Sequence, residues 1–193
     1  MAVPEAARGI TAVVVTYNPD PARLAQLCKA VQPQVEHVVL VDNGSSAEAL
    51  AALQALVDGP SSALTLLALG ENRGIGAAQN AGIALAREHG SRYVLLLDHD
   101  SIPEADMVAT LRAAIENQPA GSPPVAAAGP RYADARQTTN PSPFVQLEGF
   151  KRVRCECRHA GQLIEVEHLI ASGSLIPMAI LDAVGDMDER LFI

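Results

Sequence analysis

Two aspartates separated by one histidine close an apolar run, "YVLLLDHD" at 93 to 100. In an extended segment Asp98 and Asp100 point to one side, roughly 7 Å apart along the chain, while His99 points to the other. Two carboxylates so placed repel each other unless a cation lies near them. Hard oxygen donors with few competing ligands suit Mg²⁺ or Mn²⁺ shared with substrate phosphates, so the pair is a candidate cation site. A plainer reading gives Asp100 or Ser101 the cap of a helix beginning near Pro103, which leaves Asp98 without a task.

Three further polar clusters follow apolar runs: Thr16, Tyr17 and Asn18; Asp42, Asn43, Gly44 and Ser45; Glu71, Asn72, Arg73 and Gly74. "VDNGSS" at 41 to 46 also reads as a turn and a helix cap, with Ser45 or Ser46 capping and Glu48 in the first turn, while Asp42 points toward a ligand. "GENRGIGAAQNAG" hints at a phosphate-cradling loop but lacks the third glycine of the dinucleotide fingerprint. Its glycines fit a helix start equally well, and Arg73 fits a solvated surface. "CECRH" with His168 downstream makes a poor zinc site, because Cys155 and Cys157 stand two apart with no second pair.

The elements that must carry these clusters alternate. Apolar runs at 10 to 17, 37 to 43, 63 to 69 and 93 to 100 are too short for buried helices and too continuous for half-exposed strands, which suits strands covered on both faces. Stretches at 21 to 33, 46 to 58, 75 to 90 and 103 to 117 repeat Leu, Ala and Val at helical spacing, with Gly90 placed to end the third. Strand and helix in turn predict an α/β fold with a mostly parallel, doubly wound sheet. In such a sheet, ligands bind beyond the carboxyl ends of the strands, where all four polar clusters fall.

After residue 117 the texture changes. "QPAGSPPVAAAGP" at 118 to 130 marks a lobe boundary or long surface loop, dividing an alternating strand-and-helix half (1–117) from a smaller mixed half (118–193). "KRVRCECR" alternates like a strand, and a helix is expected near "PMAILDAVG". Lys151, Arg152, Arg154 and Arg158 form a basic cluster, read as a strand edge kept soluble by charge or as a contact to an anionic acceptor or lipid headgroup.

Composition bounds the function. At 193 residues and 49% hydrophobic content the chain can bury a core, and a net charge of −8 argues against nucleic acid as the main partner. Trp is absent and Phe and Tyr number three each, too few for base-stacking platforms. Three cysteines make no disulfide framework, and nothing reads as a signal peptide or membrane span, so the expected location is the cytoplasm, either free or at the inner face of the membrane.

Taken in order, "VVVTYNPD" (13–20), "VDNGSS" (41–46), "NRGIGAAQNAGI" (72–83), "LLLDHDS" (95–101), "ASGSLIP" (171–177) and "VGDMDERLFI" (184–193) resemble the motifs of the inverting family 2 glycosyltransferases of the GT-A fold, especially bacterial dTDP-rhamnosyltransferases. The resemblance implies that Thr16, Tyr17, Asn18 and Asp42 hold the nucleoside and that Asn72, Arg73 and Gly74 lie by the base and phosphates. It implies Asp98 at the ribose or nucleotide, Asp100 on the metal, and Ser172, Gly173 and Ser174 as the donor-sugar and acceptor wall.

It further implies transfer of L-rhamnose from dTDP-rhamnose to a glycan or lipid-linked glycan, with a carboxylate base deprotonating the acceptor hydroxyl. In the family that base lies a few residues beyond the "DERLFI" equivalent, which places it past Ile193. The expectation is therefore a truncated chain that carries the donor site without its base, with Asp186, Asp188 and Glu189 belonging to the preceding turn. A UDP-sugar transferase and a non-catalytic nucleotide-sugar-binding module remain the alternatives. A nucleotidyltransferase would want a Gly-rich basic loop after the first strand, and "TYNPDP" is not one.

Overall fold

The short apolar runs do pair into one sheet. The computed structural model describes residues 4–59, 63–133, 144–148, 151–155, 159 and 161–190. Strands β1 (Ile10–Thr16), β2 (His37–Asp42), β3 (Leu64–Ala68) and β4 (Tyr93–Asp98) run parallel. A ribbon of β5 (Val145–Glu148) and β6 (Lys151–Arg154) stands apart from the sheet, and β7 (Leu175–Pro177) joins β4 antiparallel, giving the order β3-β2-β1-β4-β7.

Alternation along each strand serves two cores. Ala12, Val14, Val38, Leu40, Leu95 and Leu97 face α1 (Pro21–Val31), α2 (Ala47–Val57) and α4 (Met107–Glu116). Val13, Val39, Val41, Val94 and Leu96 face α3 (Ile75–Glu88) and α5 (Met178–Val184). Both faces of the central strands are therefore dry, which explains runs without polar interruption.

Four expectations need correction. The third strand is an edge strand, and only Leu64 of its five residues is buried. The fourth ends at Asp98, two residues short of the expected 100. The helix expected from 103 starts at Met107, with no side-chain cap, so neither Asp100 nor Ser101 caps it. Its delay has a physical cause: the buried Gln34 amide donates to the Glu104 carbonyl (2.8 Å) and accepts from the Val108 N–H (3.1 Å), occupying two groups that a longer helix would pair with each other. The basic strand is described only as far as Arg154, with Cys155 beyond it, and Cys157 and Arg158 lie outside the described residues. Among the described residues no helix is long and apolar enough to cross a membrane.

Candidate functional site

The chain order places a topological switch beside β1. From β1 the sheet grows to β2 and β3 on one side and to β4 and β7 on the other, so the crevice opens where β1 and β4 end. Thr16, at the end of β1, is buried, and Tyr17 after it is 50% exposed. Asn18 adopts a left-handed φ of 44°. That backbone is held in place, because its N–H donates to Ser45 Oγ (2.8 Å) and its Oδ1 accepts from the Ser46 N–H (2.9 Å). Ser46 in turn caps α2 through the Ala49 N–H, as the sequence predicted.

Asp42, at the end of β2, is only 1% exposed. Its carboxylate accepts from Thr16 Oγ1 (3.4 Å), from the Ser45 N–H (3.1 Å) and from Ser45 Oγ. The side chain thus joins the loops after β1 and β2 from beneath. Asn43 carries the link onward: its Nδ2 donates to Asn72 Oδ1 (3.0 Å) and its Oδ1 accepts from the Arg73 N–H (2.9 Å). Asn72 Oδ1 also accepts from the Gly74 N–H (3.0 Å). Gly44, at φ 83°, lets the two loops touch backbone to backbone, since a Cβ there would overlap the Glu71–Asn72 peptide. Three loops form one hydrogen-bonded rim, with the Arg73 side chain exposed above it.

The end of β4 is built differently. Asp98 is half-buried, and its N–H donates to Ser172 Oγ (3.0 Å), whose hydroxyl also pairs with Ser101 Oγ (3.1 Å). A turn closes from the Ser101 N–H to the Asp98 carbonyl (3.2 Å), with Asp100 inside it. Burial, and then the negative charge of Asp100, push the Asp98 carboxyl above its ordinary range; a hydrogen bond from the Ser172 side chain, and then His99, act in the opposite direction. The Asp98 carboxyl thus feels the Asp100 charge across a turn, where an extended strand was first expected.

Of the three residues after Ala171, Ser172 alone touches this turn. Gly173 and Ser174 are buried, with Gly173 N–H donating to the Leu96 carbonyl (2.7 Å) and Ser174 Oγ to the Ile170 carbonyl (2.6 Å). Gly173 holds φ 85°, where a Cβ would sit 2.9 Å from the Pro130 ring.

Ile193, past which the resemblance sets the catalytic base, lies with residues 191 and 192 outside the described residues. The acids that precede it are engaged with partners of their own. Asp186 accepts from Arg87 (2.6 and 3.0 Å), Asp188 from Arg190 (2.7 Å) and Glu189 from Asn80 Nδ2 (2.8 Å), which fits their assignment to the preceding turn.

Two contributors escaped the sequence reading. Asn43 was visible as part of a polar cluster, but not as the tie to Asn72 and Arg73. Arg23 was not singled out at all. Its Nε and Nη2 donate to the Asp100 carbonyl at 2.9 and 2.7 Å. A signal existed: a cation in the first turn of a helix opposes the helix dipole, and so asks for a reason.

No group of three or more His, Cys, Asp or Glu side chains comes together as a closed cation site among the described residues. Asp98 and Asp100 fit a divalent ion that keeps most of its coordination for phosphate oxygens and water, since their mutual repulsion is what such an ion relieves. A groove of about 260 Å³ between α1 and α2, lined by Pro19, Leu24, Ala52, Leu53 and Leu56 among others, brings no titratable group and does not compete as the reactive centre.

A doubly wound sheet with two carboxylates at its switch point, beside a rim of Asn, Ser and Gly loops, defines an α/β domain of the kind that takes ligands beyond its strand ends. The particular family follows from sequence. Residues 11–161 match the family described as Glycosyl transferase family 2, and the chain belongs to that family. It is 29% identical to the dTDP-rhamnosyl transferase RfbF of Shigella flexneri over 188 residues, 95% of this chain and 59% of that protein. With the succinoglycan biosynthesis protein ExoO of Rhizobium meliloti it shares 36% identity over 119 residues, 61% of this chain and 32% of that protein. The chain thus spans less than two thirds of either relative. Crystal structures of S. aureus TarS superpose with TM-scores of 0.55 for residues 1–349 and 0.57 for the same piece in complex with UDP, at 17% identity, covering 95% and 94% of this chain and 51% of each of theirs. That likeness establishes the GT-A fold.

Proposed function

We propose that the crevice between β1 and β4 binds a nucleotide-sugar donor together with Mg²⁺ or Mn²⁺, and that the chain takes part in transferring L-rhamnose from dTDP-rhamnose to a glycan or lipid-linked glycan. The observation that carries this reading is the placing of Asp98 and Asp100 on one turn at the end of β4, at the mouth of the switch-point crevice. When bound, the ion would neutralise charge that develops on the departing nucleoside diphosphate.

The chain's own residues do the rest. Thr16, Tyr17, Asn18 and Asp42 form the nucleoside end, where the half-exposed Tyr17 ring offers a face and Asp42 keeps the Ser45 loop in register. Asn72, Arg73 and Gly74 stand by the base and phosphates, with the exposed Arg73 guanidinium available to an anion. Asp98 takes the ribose or the nucleotide, and Asp100 the ion. Ser172 ties the sugar side of the site to the Asp98 turn, with Gly173 and Ser174 as its backing. No described residue is assigned as the base for the acceptor hydroxyl. A lipid-linked acceptor would bring the chain to the inner face of the membrane, which the exposed Lys151 and Arg154 of β6 would favour.

A UDP-sugar donor is the second reading, favoured by the fold shared with a transferase crystallised with UDP. Titration calorimetry with dTDP and UDP, each in Mn²⁺ and in EDTA, separates the two. Metal-dependent preference for dTDP supports rhamnosyl transfer, and preference for UDP supports the alternative. Absence of both bindings removes the donor-site reading altogether.

A further inference from the structure

We infer that Arg23 is a positioning residue for the cation, acting through the backbone of the Asp98–Ser101 turn; this rests on the donor-site reading above. Among the described residues one backbone hydrogen bond closes that turn, from Ser101 N–H to the Asp98 carbonyl at 3.2 Å. Ser172 steadies its first residue from one side, through the Asp98 N–H, and its last through Ser101 Oγ. The carbonyl of Asp100 points the other way, toward α1. There Arg23 reaches it across 77 residues of sequence with two donors, 2.9 and 2.7 Å from one oxygen.

The choice of atom matters. Had Arg23 paired with the carboxylates, it would have taken the place of a cation. Both of its side-chain bonds end instead on the carbonyl. The guanidinium therefore fixes the direction of the Asp100 side chain and leaves both carboxylates open to an ion.

Arg23 is itself anchored. Asp20 Oδ1 accepts from its N–H at 2.8 Å as the cap of α1, and Leu24 next to it is 1% exposed in the core. The fork thus transmits the rigidity of a packed helix to a turn that has little of its own. A guanidinium presents two parallel donors in a fixed plane, which a lysine ammonium does not.

The test is calorimetric titration of dTDP and UDP into the 193-residue chain, in Mn²⁺ and in EDTA, for wild type, Arg23→Ala, Arg23→Lys and Asp100→Asn, with thermal melting of each. In Arg23→Ala the affinity gained from Mn²⁺ is expected to fall about tenfold, the lower end of what loss of a group orienting a metal ligand costs. Affinity in EDTA and the melting temperature should hold, and Arg23→Lys should recover part of the gain. An unchanged Mn²⁺ gain in Arg23→Ala, alongside its loss in Asp100→Asn, overturns the role of Arg23 and spares the donor site. A parallel fall of affinity in EDTA also overturns it, by showing a general loosening of the crevice. If wild type gains nothing from Mn²⁺, the donor-site reading itself fails and takes this inference with it.

Discussion

Asp42 and Asp98 flank the end of β1 on neighbouring strands, in register with Thr16 and Val15, yet the two acids live in opposite circumstances. Asp42 is sealed and satisfied, accepting from Thr16 and twice from Ser45. Asp98 is half-buried, beside a like charge, and holds its carboxyl above the ordinary range. One acid builds the rim; the other is left in a state that a ligand can improve. Strand-end aspartates in this fold are thus not interchangeable, and charge alone does not say which one reacts.

Substitution should separate them. Asp42→Ala leaves both Ser45 donors without their acceptor, while Thr16 Oγ1 keeps the Val41 carbonyl, and is expected to cost about 3 kcal/mol of folding free energy, read from urea unfolding. The same change at Asp98 should cost far less. Near-equal losses at both positions would erase the contrast. Asp100→Asn should leave stability intact and lower nucleoside diphosphate affinity in Mn²⁺ about a hundredfold, the upper end for disturbing a metal ligand's surroundings.

Gly44→Ala tests the rim alone. The left-handed backbone and the Glu71–Asn72 peptide beneath it predict a loss of about 2 kcal/mol. Nucleotide affinity would fall with it, because the loops after β2 and β3 would separate.

The smallest effect is in pH. A carboxyl raised in the fold binds its proton more tightly there than in the unfolded chain, so the ion-free protein should lose stability as pH rises from the ordinary carboxylate value, about 4, through the raised one. Asp98→Asn should flatten that slope, whereas Mn²⁺ affinity of the wild type should weaken as pH falls through the same window. A slope that survives Asp98→Asn assigns it to another group.

Much of this architecture is readable from period and composition. The continuous runs of β1, β2 and β4 announce strands dry on both faces, and Ser46 announces the start of α2. What stayed hidden depends on contacts distant in sequence. β3 looks like its neighbours as a string of residues but lies at the edge, and "LIP" is too short to reveal an antiparallel partner for β4. Gln34 delays α4 from 70 residues away, and Arg23 reaches the Asp100 turn from 77. The site shows the same division. The positions of Asp98 and Asp100 were legible at a strand end, but the turn that carries them, and the enclosure of Asp42, emerge only when the loops are assembled.

Crystals of the chain soaked with Mn²⁺ and dTDP, examined by anomalous scattering at the manganese edge, test the central claim most directly. The account predicts an anomalous peak on the Asp100 carboxylate at the mouth between β1 and β4, with the diphosphate against it and the base toward Tyr17. Nucleotide seated elsewhere, such as in the apolar groove between α1 and α2, or a manganese ion with neither Asp98 nor Asp100 among its neighbours, would contradict it.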